Sequence, residues 1–152
     1  MKDNPYRQEK EEMNELLRQY HNFKTGKKFK FIEEESFLRL VDYFDENENL
    51  SAALEAANFA IKQYPYSSSL YIRKADILIA FQKYQEALFF LGRAEVLDSK
   101  NINLYILKTD VYLALDEHEK ASALLEEAII VFEGVEKIEL LFELADVYDD
   151  YE

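Results

Sequence analysis

A 34-residue period is the feature that most limits what this chain can fold into. Ala53, Ala87 and Ala121 are spaced by 34 residues, Ala60, Ala94 and Ala128 keep the same interval, and so do Asp42, Asp76 and Asp110. Large apolar positions recur in the same register, first as Phe37, Tyr71 and Tyr105 and then as Phe44, Leu78 and Tyr112. A period of about 20–50 residues marks a chain built by stacking one supersecondary unit on copies of itself. Each copy buries its apolar face only against its neighbours.

Within a unit the apolar spacing is helical, as in Phe37, Leu40, Val41 and Phe44 and then Leu50, Ala53, Leu54, Ala57, Ala60 and Ile61. A polar turn, DENEN at 45–49, separates the two runs. The next units are reached through YPYSSS (64–69) and DSKN (98–101). Pro65 cannot continue a helix without losing a backbone hydrogen bond, and Ser67 to Ser69 offer N-cap oxygens. Two helices approach closely only where a side chain is reduced to a methyl, which predicts that Ala53, Ala87 and Ala121 occupy the closest contacts.

Composition excludes several classes. Three glycines and two prolines are too few for an all-β fold rich in hairpins. No run approaches the roughly 18–20 apolar residues of a membrane span, and MKDNPYRQEKEE carries charges where a signal peptide needs an apolar segment. The expected setting is cytoplasmic, and the absence of cysteine removes disulfides and thiolate metal ligands. The net charge of −13 is unevenly divided. Residues 1–30 hold eight basic and five acidic residues, net +3; residues 31–152 hold ten and 26, net −16. So acidic a body argues against a nucleic-acid partner, because phosphate binding relies on clustered Lys and Arg.

Catalytic chemistry has no visible apparatus. His21 and His118 are the only histidines and lie far apart, and His118 falls in the column of Leu50 and Tyr84, which predicts packing. Three dispersed glycines build no phosphate-cradling loop, and DVYDDYE lacks the alternating ligands and glycine of a calcium loop. No enzyme activity, cofactor or metal is expected.

These columns resemble the tetratricopeptide repeat (TPR) family, whose pattern combines a large residue, a small one, an aromatic, an A-x3-F segment and a closing proline. Three units match, at 34–67, 68–101 and 102–135. Departures are Ala57 where a large residue is usual, Lys74 and Lys108 in place of Leu, and Ser99 and Glu133 in place of the proline kept at Pro65. LLFELADVYDDYE resembles LYIRKADILIAFQKY, aligning Ala145 and Asp146 with Ala75 and Asp76, although Asp146 lies 36 residues beyond Asp110. A partial fourth unit is therefore expected at 138–152, after a turn at EGVEK. Such a half-unit belongs either to a longer protein or to a capping helix. Residues 1–33 are expected to form a cap: a helix over 6–22 with Met13, Leu16, Leu17, Tyr20 and Phe23 on one side, stopped near Gly26, then a basic loop. That loop reads either as a solvated segment leaning on the acidic body or as a docking patch for an acidic partner or membrane surface.

The resemblance implies an all-α, right-handed superhelical stack of antiparallel helix pairs, a TPR-like α-solenoid. It implies a non-catalytic protein-interaction scaffold in which the first helix of each pair lines a concave groove. Residues expected to project there are Leu38, Arg39 and Asp42; Ile72, Arg73, Asp76 and Ile79; Ile106, Leu107, Asp110 and Leu113; Phe142, Glu143 and Asp146. The aspartates form a ladder with two readings: each bonds a cation or helix end in the adjacent repeat, or together they grip a peptide. The Lys and Asn clamp with which some members hold a carboxylate tail is missing, since Leu38 and Asp42 stand in those places. The expected ligand is accordingly a protein or peptide that is apolar with basic residues. Two alternatives stand beside it: a structural N-terminal segment of a longer repeat protein whose binding surface lies downstream, and self-association through apolar surface at the truncated end.

Overall fold

The computed structural model describes residues 4–27 and 31–151. Among them are eight α-helices and no strand: α1 (Pro5–Lys24), α2 (Glu34–Glu46), α3 (Leu50–Gln63), α4 (Ser68–Ala80), α5 (Tyr84–Leu97), α6 (Ile102–Ala114), α7 (His118–Val131) and α8 (Gly134–Tyr151). The chain divides into two compact units, Met1–Ala60 and Ile61–Glu152. The fold is all-α, as the periodicity requires.

In the first unit α1 is longer than its apolar spacing predicts, because Asn4 caps it and Pro5 suits its first turn. The Asn4 side chain accepts a hydrogen bond from the Tyr6 N–H at 3.1 Å. Leu16 and Tyr20 are buried. Tyr20 sits edge-on to Phe37 at 6.5 Å and to Phe59 at 6.3 Å, and Phe23 meets Phe59 at 5.3 Å. Phe44 closes this cluster at 6.0 Å from Tyr20. Rings from three helices thus interlock, in the tilted and edge-to-face geometries that aromatic quadrupoles favour. The Tyr20 hydroxyl lies 3.4 Å from Glu55, and burial together with that carboxylate raises its pKa far above the ordinary tyrosine value. Of the expected basic loop, Lys24 pairs with Glu55 at 2.7 Å, while residues 28–30 lie outside the described residues.

In the second unit consecutive helices pack on one another from α4 to α8, and α4 also meets α6, as α6 meets α8. Ala87, Ala94 and Ala121 have no exposed surface and Ala128 almost none, so the small-residue columns do sit at close contacts. Leu125, Ala128, Phe132, Leu140 and Val147 continue the core toward the last helix. The loop before α4 is capped by Ser67, whose hydroxyl accepts from the Leu70 N–H, and the loop before α6 by Asn101. Tyr71 and Tyr105 donate their hydroxyls to the backbone carbonyls of Pro65 and Ser99, both at 2.8 Å. The bond goes to main chain, so Ser99 serves as well as proline at that place.

Three boundaries differ from the sequence expectation. The DENEN turn is shorter, since α2 runs to Glu46. No turn exists at EGVEK: α7 and α8 are joined only by Phe132 and Glu133, so α8 starts at Gly134 rather than at 138 and the expected limit at 135 falls inside it. Phe132 is buried edge-on against Tyr105 at 5.4 Å, which fixes the chain, and Gly134 at φ +63 lets it turn at once into helix. Ala145 is exposed, unlike its sequence counterpart Ala75.

The helix-to-helix turns share a device that no residue column announces. Glu48, Gln82 and Asp116 have φ of 59, 60 and 60, one residue per hairpin and again 34 apart. In each turn the following N–H reaches back to the helix: Asn49 to Phe44, Lys83 to Leu78 and Glu117 to Tyr112, all at 2.8 Å. This is the left-handed C-terminal motif usually built on glycine. Only α1 uses glycine for it, at Gly26.

Candidate functional site

Because α4, α6 and α8 touch in sequence, side chains in one register on them lie near one another. That register holds Asp76, Asp110, Glu143 and Asp146. Asp76, Asp110 and Asp146 are exposed and Glu143 is half-buried. Two of these carboxylates are perturbed by their neighbours. Asp110 is pushed above the ordinary aspartate value, first by partial burial and then by Asp76, although the residue as a whole is exposed. Glu143 is pushed up by burial and then by Asp110, Asp146 and Glu139. Among the described residues no group of three or more carboxylates or histidines has the arrangement of a metal site.

The apolar residues expected beside these carboxylates are unequally accessible. Phe142 is 69% exposed, and Ile79, Ile106, Leu107 and Leu113 are half-buried, with Leu113 also packed on the α7 core. Ile72 is only 3% exposed and belongs to the interior, because its position on α4 turns it toward packed neighbours. Arg73 is half-buried. In the first unit Leu38 and Asp42 are half-buried on α2, and Arg39 is exposed at 3.9 Å from Glu12.

His118 stacks flat on Tyr151 at 4.8 Å, a packing contact of the kind its column predicts, with its Nδ1 buried and unbonded. Lys108 pairs with Glu95. Lys74 lies 4.0 Å above the Phe90 ring and is held below the ordinary lysine value by burial, so both lysines in the usual leucine place have partners. A second surface escaped the sequence reading altogether. Around Tyr66, Tyr71, Arg93 and Val96 a cleft of about 410 Å3 opens on the second unit. Its only sequence signal was the aromatic pair Phe89 and Phe90 preceding Arg93, which helical periodicity alone reads as core.

Stacked helical hairpins at a 34-residue period define the tetratricopeptide-repeat class of fold. Solved structures agree. A thermophilic TPR protein of Thermus thermophilus superposes with a TM-score of 0.67 at 21% identity, over 78% of this chain and 65% of that one. The TPR2B domain of yeast Sti1, solved in complex with pHsp70, gives 0.69 at 21% identity over 76% and 92%. The first TPR of Spaghetti (RPAP3), bound to the HSP90 peptide SRMEEVD, gives 0.65 at 16% identity over 78% and 98%. The chain spans 65% of the Thermus protein and 45% of the two-domain Sti1 fragment. No protein-family model and no curated protein matches the sequence. No helix among the described residues is long and apolar enough to cross a membrane.

Proposed function

We propose that this protein is a non-catalytic interaction module whose second unit binds a peptide that is apolar with basic residues, along the face formed by α4, α6 and α8. The repeats run 34–67, 68–101 and 102–133, with α8 as the first helix of a further unit. The observation that carries the reading is electrostatic. Asp76 raises the proton affinity of Asp110, and Asp110 and Asp146 raise that of Glu143, so the folded chain holds like charges together where a cationic ligand would relieve them. Phe142, Ile79 and Ile106 supply apolar contact beside them, while Ile72 supports from beneath. Peptide complexes of the Sti1 and RPAP3 domains support the general mode. The acidic character here suits the opposite ligand charge from SRMEEVD.

The test is fluorescence anisotropy with a labelled acetyl-Leu-Lys-Ile-Lys-Leu-Lys-amide peptide. Changing Asp110→Asn and Asp146→Asn together should weaken binding about tenfold or more at low salt, with a shallower salt dependence. Undiminished binding by that double variant sinks the proposal.

A further inference from the structure

The cleft on the second unit is lined by Tyr66, Tyr71, Arg93, Val96 and Leu97, and beside it cations are held against rings. Lys74 Nζ lies 4.0 Å over the Phe90 centroid, and Phe90 stacks on Tyr71 at 6.1 Å and 12°. The Arg93 guanidinium carbon lies 6.0 Å from the Tyr71 centroid and 5.6 Å from that of Phe89, which meets Phe90 edge-on at 5.1 Å. Among the described residues Arg93 has ring contacts but neither a hydrogen bond nor a carboxylate partner. In a chain with 31 acidic and 18 basic residues, a surface arginine left without a carboxylate is unexpected. Beside it Tyr66 is 84% and Val96 88% exposed, so large apolar groups flank the charge.

We propose that this cleft docks a peptide segment in which a carboxylate side chain lies beside aliphatic or aromatic ones. The chemistry follows from the guanidinium. The guanidinium lies near the Tyr71 and Phe89 rings, which limits its rotamers, while its N–H groups stay available for two parallel hydrogen bonds to a carboxylate. Tyr66, Val96 and Leu97 then cover the ligand's apolar neighbours, and removing water from around the ion pair strengthens it. The site asks for the opposite ligand charge from the α4–α6–α8 face and stands independently of it. Cations among rings also suit single-stranded nucleic acid, but a net charge of −13 repels a phosphate backbone.

The probe is fluorescein-labelled acetyl-Gly-Leu-Glu-Phe-Glu-Leu-Gly-amide, with its Gln-for-Glu counterpart and labelled oligothymidylate as comparisons, all titrated with the full chain. The Glu peptide should bind saturably, and the Gln peptide about tenfold more weakly. Arg93→Gln should lose about tenfold for the Glu peptide only, with Arg93→Lys intermediate because a point charge lacks the fork. Val96→Asp should abolish binding, and Asp110→Asn should leave it unchanged. All three positions are at the surface, and unchanged circular dichroism will show that the variants fold. No saturable binding of the Glu peptide at millimolar protein, equal binding of both peptides, or indifference to Arg93→Gln would each overturn the proposal. So would tighter, Arg93-dependent binding of oligothymidylate.

Discussion

In the first unit Tyr20, Phe23, Phe37, Phe44 and Phe59 turn toward one another, whereas the second unit leaves Tyr66, Phe89 and Phe142 facing water and fills its interior mainly with aliphatic side chains and Ala, Tyr71 and Phe132 being its buried rings. One repeat plan serves two ends. A knot of interlocked rings offers few free faces and suits internal support. Aliphatic packing on alanine columns releases the aromatics to the surface, where they can hold cations or meet a ligand. Placement of rings therefore separates the part built for support from the part equipped for contact.

The largest test of that contrast is Phe37→Ala against Phe89→Ala. Phe37 is fully buried, and its loss should cost about 3–5 kcal/mol in urea denaturation, while exposed Phe89 should cost about 0.5 kcal/mol or less. Equal costs would erase the distinction. Next in size is overpacking of the alanine column, where Ala87→Leu should destabilise by about 1–3 kcal/mol. An unchanged melting temperature would remove the alanines from their assigned role.

A smaller effect comes from the left-handed turns. Gln82→Gly should stabilise by about 0.5–1 kcal/mol, and Gly26→Ala should destabilise by a similar amount, since one relieves the strain that the other introduces. The smallest concerns charge. Asp110 and Glu143 have raised pKa values in the folded chain, so it binds protons more readily there than the unfolded chain does. Their contribution to stability is present below the ordinary carboxylate range near about pH 4 and is lost as pH rises through the raised values. Asp110→Asn should accordingly raise stability at neutral pH by up to about 0.5 kcal/mol and flatten this dependence. A steeper pH profile in the variant would contradict the mutual repulsion.

Much of the fold was legible because burial selects side chains. The alanines at 53, 87 and 121 had to be small, and their spacing exposed the repeat. What stayed hidden was work done by backbone or by geometry. Glu48, Gln82 and Asp116 share a conformation and no chemistry, so no column marked them. The start of α8 was misjudged because a single buried ring, Phe132, replaces a turn that composition suggested. Lys74 looked like a defect in a pattern, and nothing in the sequence singled out Arg93. Only their ring partners, brought in from Tyr71 and Phe90, show them to be parts of one surface.

The repeated turns also leave a mark that can be read without coordinates. The amides of Asn49, Lys83 and Glu117 lie at the very starts of their helices or just before them, where N–H groups ordinarily exchange with solvent quickly, yet each is held at 2.8 Å by a carbonyl of the preceding helix. In deuterium exchange they should persist as three slow amides beyond the ends of their preceding helices, 34 residues apart, so that the repeat becomes audible as a rhythm of protected protons even where side chains have drifted beyond recognition.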